Sequence, residues 1–137
     1  MNALSCLLFV IFYAHSFCLC EGLHISMFVV MYQVWRDTDH GAREPVTIWR
    51  PRPPRGYVSI GNVVVPDYYE PEQGVVSCVR LDCVARAPLG QARVWKESTG
   101  GASGQCSLWR VDNDARTFLA RRDHQAPPPQ LAYTVIN

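Results

Sequence analysis

Beyond the first two dozen residues, apolar and polar positions alternate in short runs separated by Gly, Pro, Asn and Asp. That is the pattern of strands rather than helices. Phe28 to Arg36 is rich in Val, Tyr and Trp, and Val46 to Arg50 alternates, Val46 and Ile48 facing one way, Thr47 and Trp49 the other. Ala92 to Lys96 and Cys106 to Val111 follow the same scheme. Tyr57–Ile60 and Val63–Val65 flank Gly61 and Asn62, a pair that predicts a two-residue hairpin turn. With Val75–Leu81, Thr117–Arg121 and Leu131–Ile136 the count reaches about nine short strands at spacings of roughly ten residues. No stretch after Glu21 sustains a capped 3.6-residue period. The expected fold is all-β: a small sandwich, barrel or β-prism-like module.

The chain also repeats itself. Residues 34–50 align without a gap on residues 94–110, and six of the seventeen positions are identical, among them Val34/Val94, Trp35/Trp95 and Trp49/Trp109. Ile48 matches Leu108, and all four tryptophans fall at matching places. A match of this kind predicts a fold built from copies of one small unit, which suits a scaffold or binding surface better than an enzyme. By strict alternation each Trp shares its face with polar neighbours: Trp35 with Gln33, Trp95 with Gln91 and Arg93, Trp49 with Thr47, Trp109 with Ser107. The apolar face then belongs to Val34, Val46 and Ile48, and to Val94, Cys106 and Leu108. Burying a Trp is worth about 4 kcal/mol or more. The pattern therefore demands a second layer over the four rings, or a groove awaiting a partner.

Three segments read as loops: the run after Trp49 with Pro51, Pro53 and Pro54, which must leave its sheet or follow an edge; Asp67 to Gln73; and His124 to Gln130 with its three prolines. Thirteen basic residues against twelve acidic ones give no strong pull toward nucleic acid or anionic membrane. Residues 1–26 are set apart: Ala3 to Cys20 is almost wholly apolar, fitting a signal peptide, a short membrane anchor or a wrongly joined first exon, with residues 27–137 as the β-rich domain. Three of the six cysteines, Cys78, Cys83 and Cys106, lie in that domain, an odd count that argues against a disulfide framework. Their spacing, with His124, matches no familiar zinc pattern.

Catalytic signatures are missing. There is no nucleophile elbow and no phosphate-cradling glycine loop before a helix. Gly100, Gly101 and Gly104 fall in a hairpin loop, His40 and His124 read as loop residues, and Asp112 with Asp114 reads as a turn. No cofactor is implied. The most unusual stretch runs from Trp49 to Tyr57 and alternates cation, proline and aromatic residue. It suits either a rigid corner, with Arg stems over aromatic rings, or a site for an acidic peptide, phosphate or single-stranded nucleic acid.

The order Ile48-Trp49-Arg50-Pro51, then Pro53-Pro54, then Gly56-Tyr57-Val58-Ser59-Ile60-Gly61 resembles a repeat motif of the vacuolar protein sorting-associated protein 13 family and the related protein 62 group. Cys78-Val79-Arg80, Asp82, Val94-Trp95, Ser107-Leu108-Trp109, Thr117-Phe118-Leu119 and Leu131-Ala132-Tyr133 extend the resemblance from about Val30 to the C-terminus. Asn62 stands where that family usually has Asp. The resemblance implies a non-enzymatic adaptor-binding module of proteins that move lipids at membrane contact sites. It would be cytoplasmic, peripheral to endosomal or vacuolar membranes, and recruited through short proline-containing motifs on membrane adaptors. Trp49, Arg50, Arg52, Tyr57 and Trp109 are the candidate partner-binding residues, while Trp35, Trp95, Val34, Val94, Ile48 and Leu108 carry the repeat. The rival readings are a secreted or membrane-anchored β protein binding lipid or carbohydrate, and a single-strand nucleic-acid binder.

Overall fold

The computed structural model describes residues 24–25, 29–38, 45–73, 75–76, 78–97 and 103–136. Most of the apolar leader, His40, Gly41, Ala42, Gly100 and Gly101 lie outside these residues. The described chain is all-β, with strands β1 (His24–Ile25), β2 (Val30–Arg36), β3 (Thr47–Arg52), β4 (Tyr57–Val58), β5 (Val63–Val65), β6 (Cys78–Arg80), β7 (Val84–Arg86), β8 (Leu89–Glu97), β9 (Cys106–Val111), β10 (Phe118–Arg121) and β11 (Tyr133–Val135). Single 3-10 turns occupy Leu81–Cys83 and Pro129–Leu131. The count exceeds nine because β1 and β7 are two and three residues long, too short for alternation to mark.

Two three-stranded antiparallel sheets, ordered β2-β3-β5 and β8-β9-β10, carry the duplicated sequence. Their registers match pair for pair. Thr47, Ile48 and Trp49 face Val65, Val64 and Val63, as Ser107, Leu108 and Trp109 face Arg121, Ala120 and Leu119. The third strand of each unit therefore repeats too, although the second unit reaches it four residues sooner after its central Trp.

The first strand of each unit corrects the alternation. Trp35 sits opposite Ile48 and Trp95 opposite Leu108, with a register shift before each Trp. One extra residue on a strand turns everything beyond it to the other face. Val34 and Val94 occupy the shift, so Trp35 and Trp95 leave the face of Trp49 and Trp109 and turn into the core. The expected grouping of four tryptophans on one polar-lined face is thus wrong for two of them. Trp35 is buried, its ring edge-on to Trp95 at 5.8 Å between centroids, and its Nε1–H donates to Gly104 O at 3.3 Å. Around them Val34, Val46, Ile48, Val64, Cys106, Leu108, Phe118 and Ala120 form one core between the two sheets. Val94 is corrected as well: it is 49% exposed, where Val34 is 6%.

Gly61 and Asn62 make no hairpin. β4 pairs with β6 and β5 with β3, so the flanking strands belong to different sheets. The pair is a joint between the units. The Asn62 N–H donates to Phe118 O at 2.9 Å, and its Oδ1 accepts the Ala120 N–H at 2.7 Å. Arg50 completes the joint, donating from Nη2 to Ala120 O at 2.6 Å and from Nη1 to Tyr32 Oη at 2.7 Å. Gly61 lies so close that a Cβ there would stand 2.7 Å from Thr117 Cβ. The free edge of β10 is thereby covered by hydrogen-bond partners from the first unit, which closes one edge to stray pairing.

Pro51 lies inside β3, opposite Met31. β5 pairs only Thr47 to Trp49, so among the described residues the strand past Trp49 has a neighbour on one side alone, where proline is tolerated. Two smaller sheets, β1-β6-β4 and β7-β11, flank the main pair. A second apolar cluster, Ala87, Val111, Leu119 and Ala132 with Leu89 and Leu131, packs the C-terminal segment against the outer face of the second unit.

Candidate functional site

The outer face of each unit carries the same polar device. Thr47 and Ser107 are wholly buried. Each hydroxyl accepts the indole N–H of the Trp two residues on, Trp49 at 2.9 Å and Trp109 at 3.0 Å. Each donates to a backbone carbonyl beyond the third strand, Asp67 O at 2.8 Å and Asp123 O at 2.5 Å. A hydroxyl is both donor and acceptor, so the burial leaves nothing unpaired. The two aspartates then close matching turns, Asp67 Oδ1 accepting the Tyr69 N–H at 2.8 Å and Asp123 Oδ1 the Gln125 N–H at 3.0 Å. Two of the polar neighbours on the Trp face, Thr47 and Ser107, are thus tethers for the rings.

Arg121 reaches Asp123 at 2.6 Å. The Arg121 side-chain hydrogen bond holds the Asp123 carboxyl below its ordinary value, with burial opposing and the Gln125 N–H adding. A carboxyl depressed in the folded state stabilises fully above its unfolded value, near pH 4, and ceases to do so as pH falls through the folded value. Asp123→Asn is expected to flatten the loss of thermal stability below about pH 4. Melting temperatures followed from pH 7 to pH 2 check this; identical slopes in parent and variant would contradict it.

The structure does not gather the five candidate partner-binding residues into one exposed site. Trp49 and Trp109 are half-buried on the outer faces of different sheets, held by Thr47 and Ser107. Arg50 is held by Tyr32 and Ala120 at the joint between units. Arg52 is exposed, its guanidinium 5.0 Å from the Tyr32 ring centre. Tyr57 lies in a third sheet, opposite Arg80. The stretch from Trp49 to Tyr57 runs from one sheet to another, with the Arg50 and Arg52 guanidinium groups 5.6 and 5.0 Å from the Tyr32 ring centre.

What the sequence reading missed is an edge. β8 is the longest strand, nine residues, and among the described residues it pairs with β9 on one side and with no strand on the other. Gln91, Ala92, Arg93 and Val94 are all exposed. Arg93 stands directly opposite Trp109, and Lys96 opposite Ser107, so both cations share the outer face with that ring. The signal was present in the repeat: Gln91-Ala92-Arg93 replaces Met31-Tyr32-Gln33 of the first unit, trading two large side chains for smaller or polar ones. The strand is bound near its C-terminal end by His124, whose Nε2 is 2.8 Å from Glu97 O.

Other chemistry is sparse. Cys78 and Cys106 are buried and Cys83 half-buried, its Sγ donating to Asp82 Oδ1 at 3.3 Å. Burial, then the charge of Glu97, pushes the Cys106 thiol up to about 12, with Arg122 opposing, which keeps it unreactive at neutral pH. Among the described residues no group of three or more His, Cys, Asp or Glu converges as a metal site, and no helix is long and apolar enough to cross a membrane.

Comparison with known proteins gives two matches. The family model described as vacuolar protein sorting-associated protein 62 matches residues 22–122. Among solved structures, the fold is similar to the crystal structure of GNIP1Aa from Chromobacterium piscinae, with a TM-score of 0.62 and 25% sequence identity. The similarity covers 83% of this chain but only 24% of that one, so the chain corresponds to about a quarter of that protein. No curated protein matches the sequence.

Proposed function

Because the chain belongs to the vacuolar protein sorting-associated protein 62 family, we propose that it is a non-enzymatic recruitment module acting in vacuolar sorting, and that it binds an extended, proline-containing segment of a membrane adaptor. The observation that carries this reading is the open edge of β8, nine residues long, exposed from Gln91 to Val94 and beside the half-buried Trp109. An unpaired edge offers a row of backbone N–H and C=O groups, and an extended peptide satisfies them by adding as a strand. Proline is compatible with such a guest. In an edge strand alternate N–H groups point away from the sheet, so prolines at every second position remove no ladder bond. Recruitment to endosomal or vacuolar membranes, or to membrane contact sites, would follow from the adaptor that carries the peptide. Lipid transport, if this unit serves it, would belong to a larger assembly that it helps to place.

The test is a titration of the full chain with a fluorescent ten-residue peptide bearing prolines at alternate positions, against the same peptide N-methylated at its other amides. Methylation removes the backbone donors and leaves the side chains. Losing two or more backbone hydrogen bonds is expected to weaken binding about tenfold or more. Equal affinity for both peptides would rule out strand addition.

A further inference from the structure

We infer that the segment accepted by β8 is acidic, with carboxylates at positions i and i+2 facing Arg93 and Lys96. The inference rests on the strand-addition reading above and specifies its partner. Arg93 and Lys96 stand opposite Trp109 and Ser107, which are two residues apart on β9. The shift at Val94 is what puts cations three apart in sequence on one face, at the spacing of alternate strand positions. A guest strand on the open side of β8 carries its own same-face side chains at that two-residue spacing, within reach of both cations.

The charges are available for this. Both side chains are exposed. Among the described residues Arg93 makes one long contact, from Nη1 to His124 O at 3.5 Å, which leaves its remaining donors for a guest. Arg121, which shares this face opposite Ser107, is already paired with Asp123 at 2.6 Å. Trp109, directly across from Arg93 on β9, adds an apolar ring inward of the two cations on the same face. The first unit offers no such arrangement. Gln33 takes the place of Arg93, and Arg36 lies 4.0 Å over the ring of Tyr68.

The experiment uses the full chain and three alternating-proline peptides that differ only in carrying Glu, Gln or Lys between the prolines. Expected is a rank order of Glu, Gln, Lys, with Glu about tenfold tighter than Lys at low salt. The preference should shrink as salt is raised. The double variant Arg93→Glu, Lys96→Glu should invert the order while Arg52→Glu, on another surface, should not. Equal binding of the three peptides, or an order that survives the double variant unchanged, would overturn the acidic preference while leaving strand addition standing. Failure of all three to bind would overturn both.

Discussion

Trp35→Ala is expected to cost about 3–5 kcal/mol, the range for removing a large buried aromatic. Trp109→Ala, which removes a half-buried ring on an outer face, should cost distinctly less. The contrast follows from one residue. Val34 occupies a shift in register that turns Trp35 to the core side, opposite Ile48, where it meets Trp95 edge-on and donates to Gly104 O. Without the shift Trp35 would share the outer face with Trp49, and its loss would resemble that of Trp109. Urea unfolding of the two variants, followed by far-ultraviolet circular dichroism, reads the difference directly. Similar costs would mean that Trp35 is not in the core.

Gly61→Val is expected to destabilise by about 3 kcal/mol, at the upper end for forcing extra atoms into a packed site. A Cβ there would stand 2.7 Å from Thr117 Cβ and 3.0 Å from Phe118 O. Neither is the far end of a flexible side chain, so the joint itself must open. Opening it strains the Asn62 N–H bond to Phe118 O and the Asn62 Oδ1 bond to the Ala120 N–H. Gly56→Ala is the informative control. Gly56 has φ +85° and no atom within 4 Å of an added Cβ, so its cost is the left-handed backbone alone, about 1 kcal/mol. Unfolding free energies of the two variants check the order. A Gly61 variant no worse than the Gly56 variant would mean that the two units are not joined there.

The strands and their duplication were legible because both depend on short-range signals. Ile48 and Leu108 recur between a hydroxyl residue and a Trp, and strand alternation puts them inside, where they are found. The placement of Trp35 was not legible. A bulge shifts register by one residue and leaves no mark on composition, since Val34 suits a regular strand equally well. Gly61 and Asn62 misled for a different reason. Gly favours tight turns and close approaches alike, and only the position of β10, more than fifty residues on, selects between them. The extension after Trp49 has no counterpart after Trp109, and in sequence it suits either a rigid corner or a partner site. In the structure it crosses from one sheet to another, and Arg50 and Asn62 hydrogen-bond to Ala120 of β10.

Among the described residues β2 and β8 are both edge strands, and the copies differ in what that edge carries. In the first unit Met31 and Tyr32 precede the bulge, and Tyr32 packs against the core. In the second, Gln91 and Ala92 stand exposed at those places, beside Val94. The two copies thus differ at the same edge: Tyr32 packs on the core in one unit, while Gln91 to Val94 are exposed in the other. A repeat alone identifies the unit; where the copies differ in burial identifies the surface free to take a partner.

The most direct measurement is hydrogen–deuterium exchange of the full chain with and without the alternating-proline peptide carrying Glu. New amide protection confined to residues 89–97, with the 47–57 corner unchanged, is the expected result. Protection centred on the 47–57 corner, or none at β8 at saturating peptide, would contradict the assignment of that edge as the recruitment site.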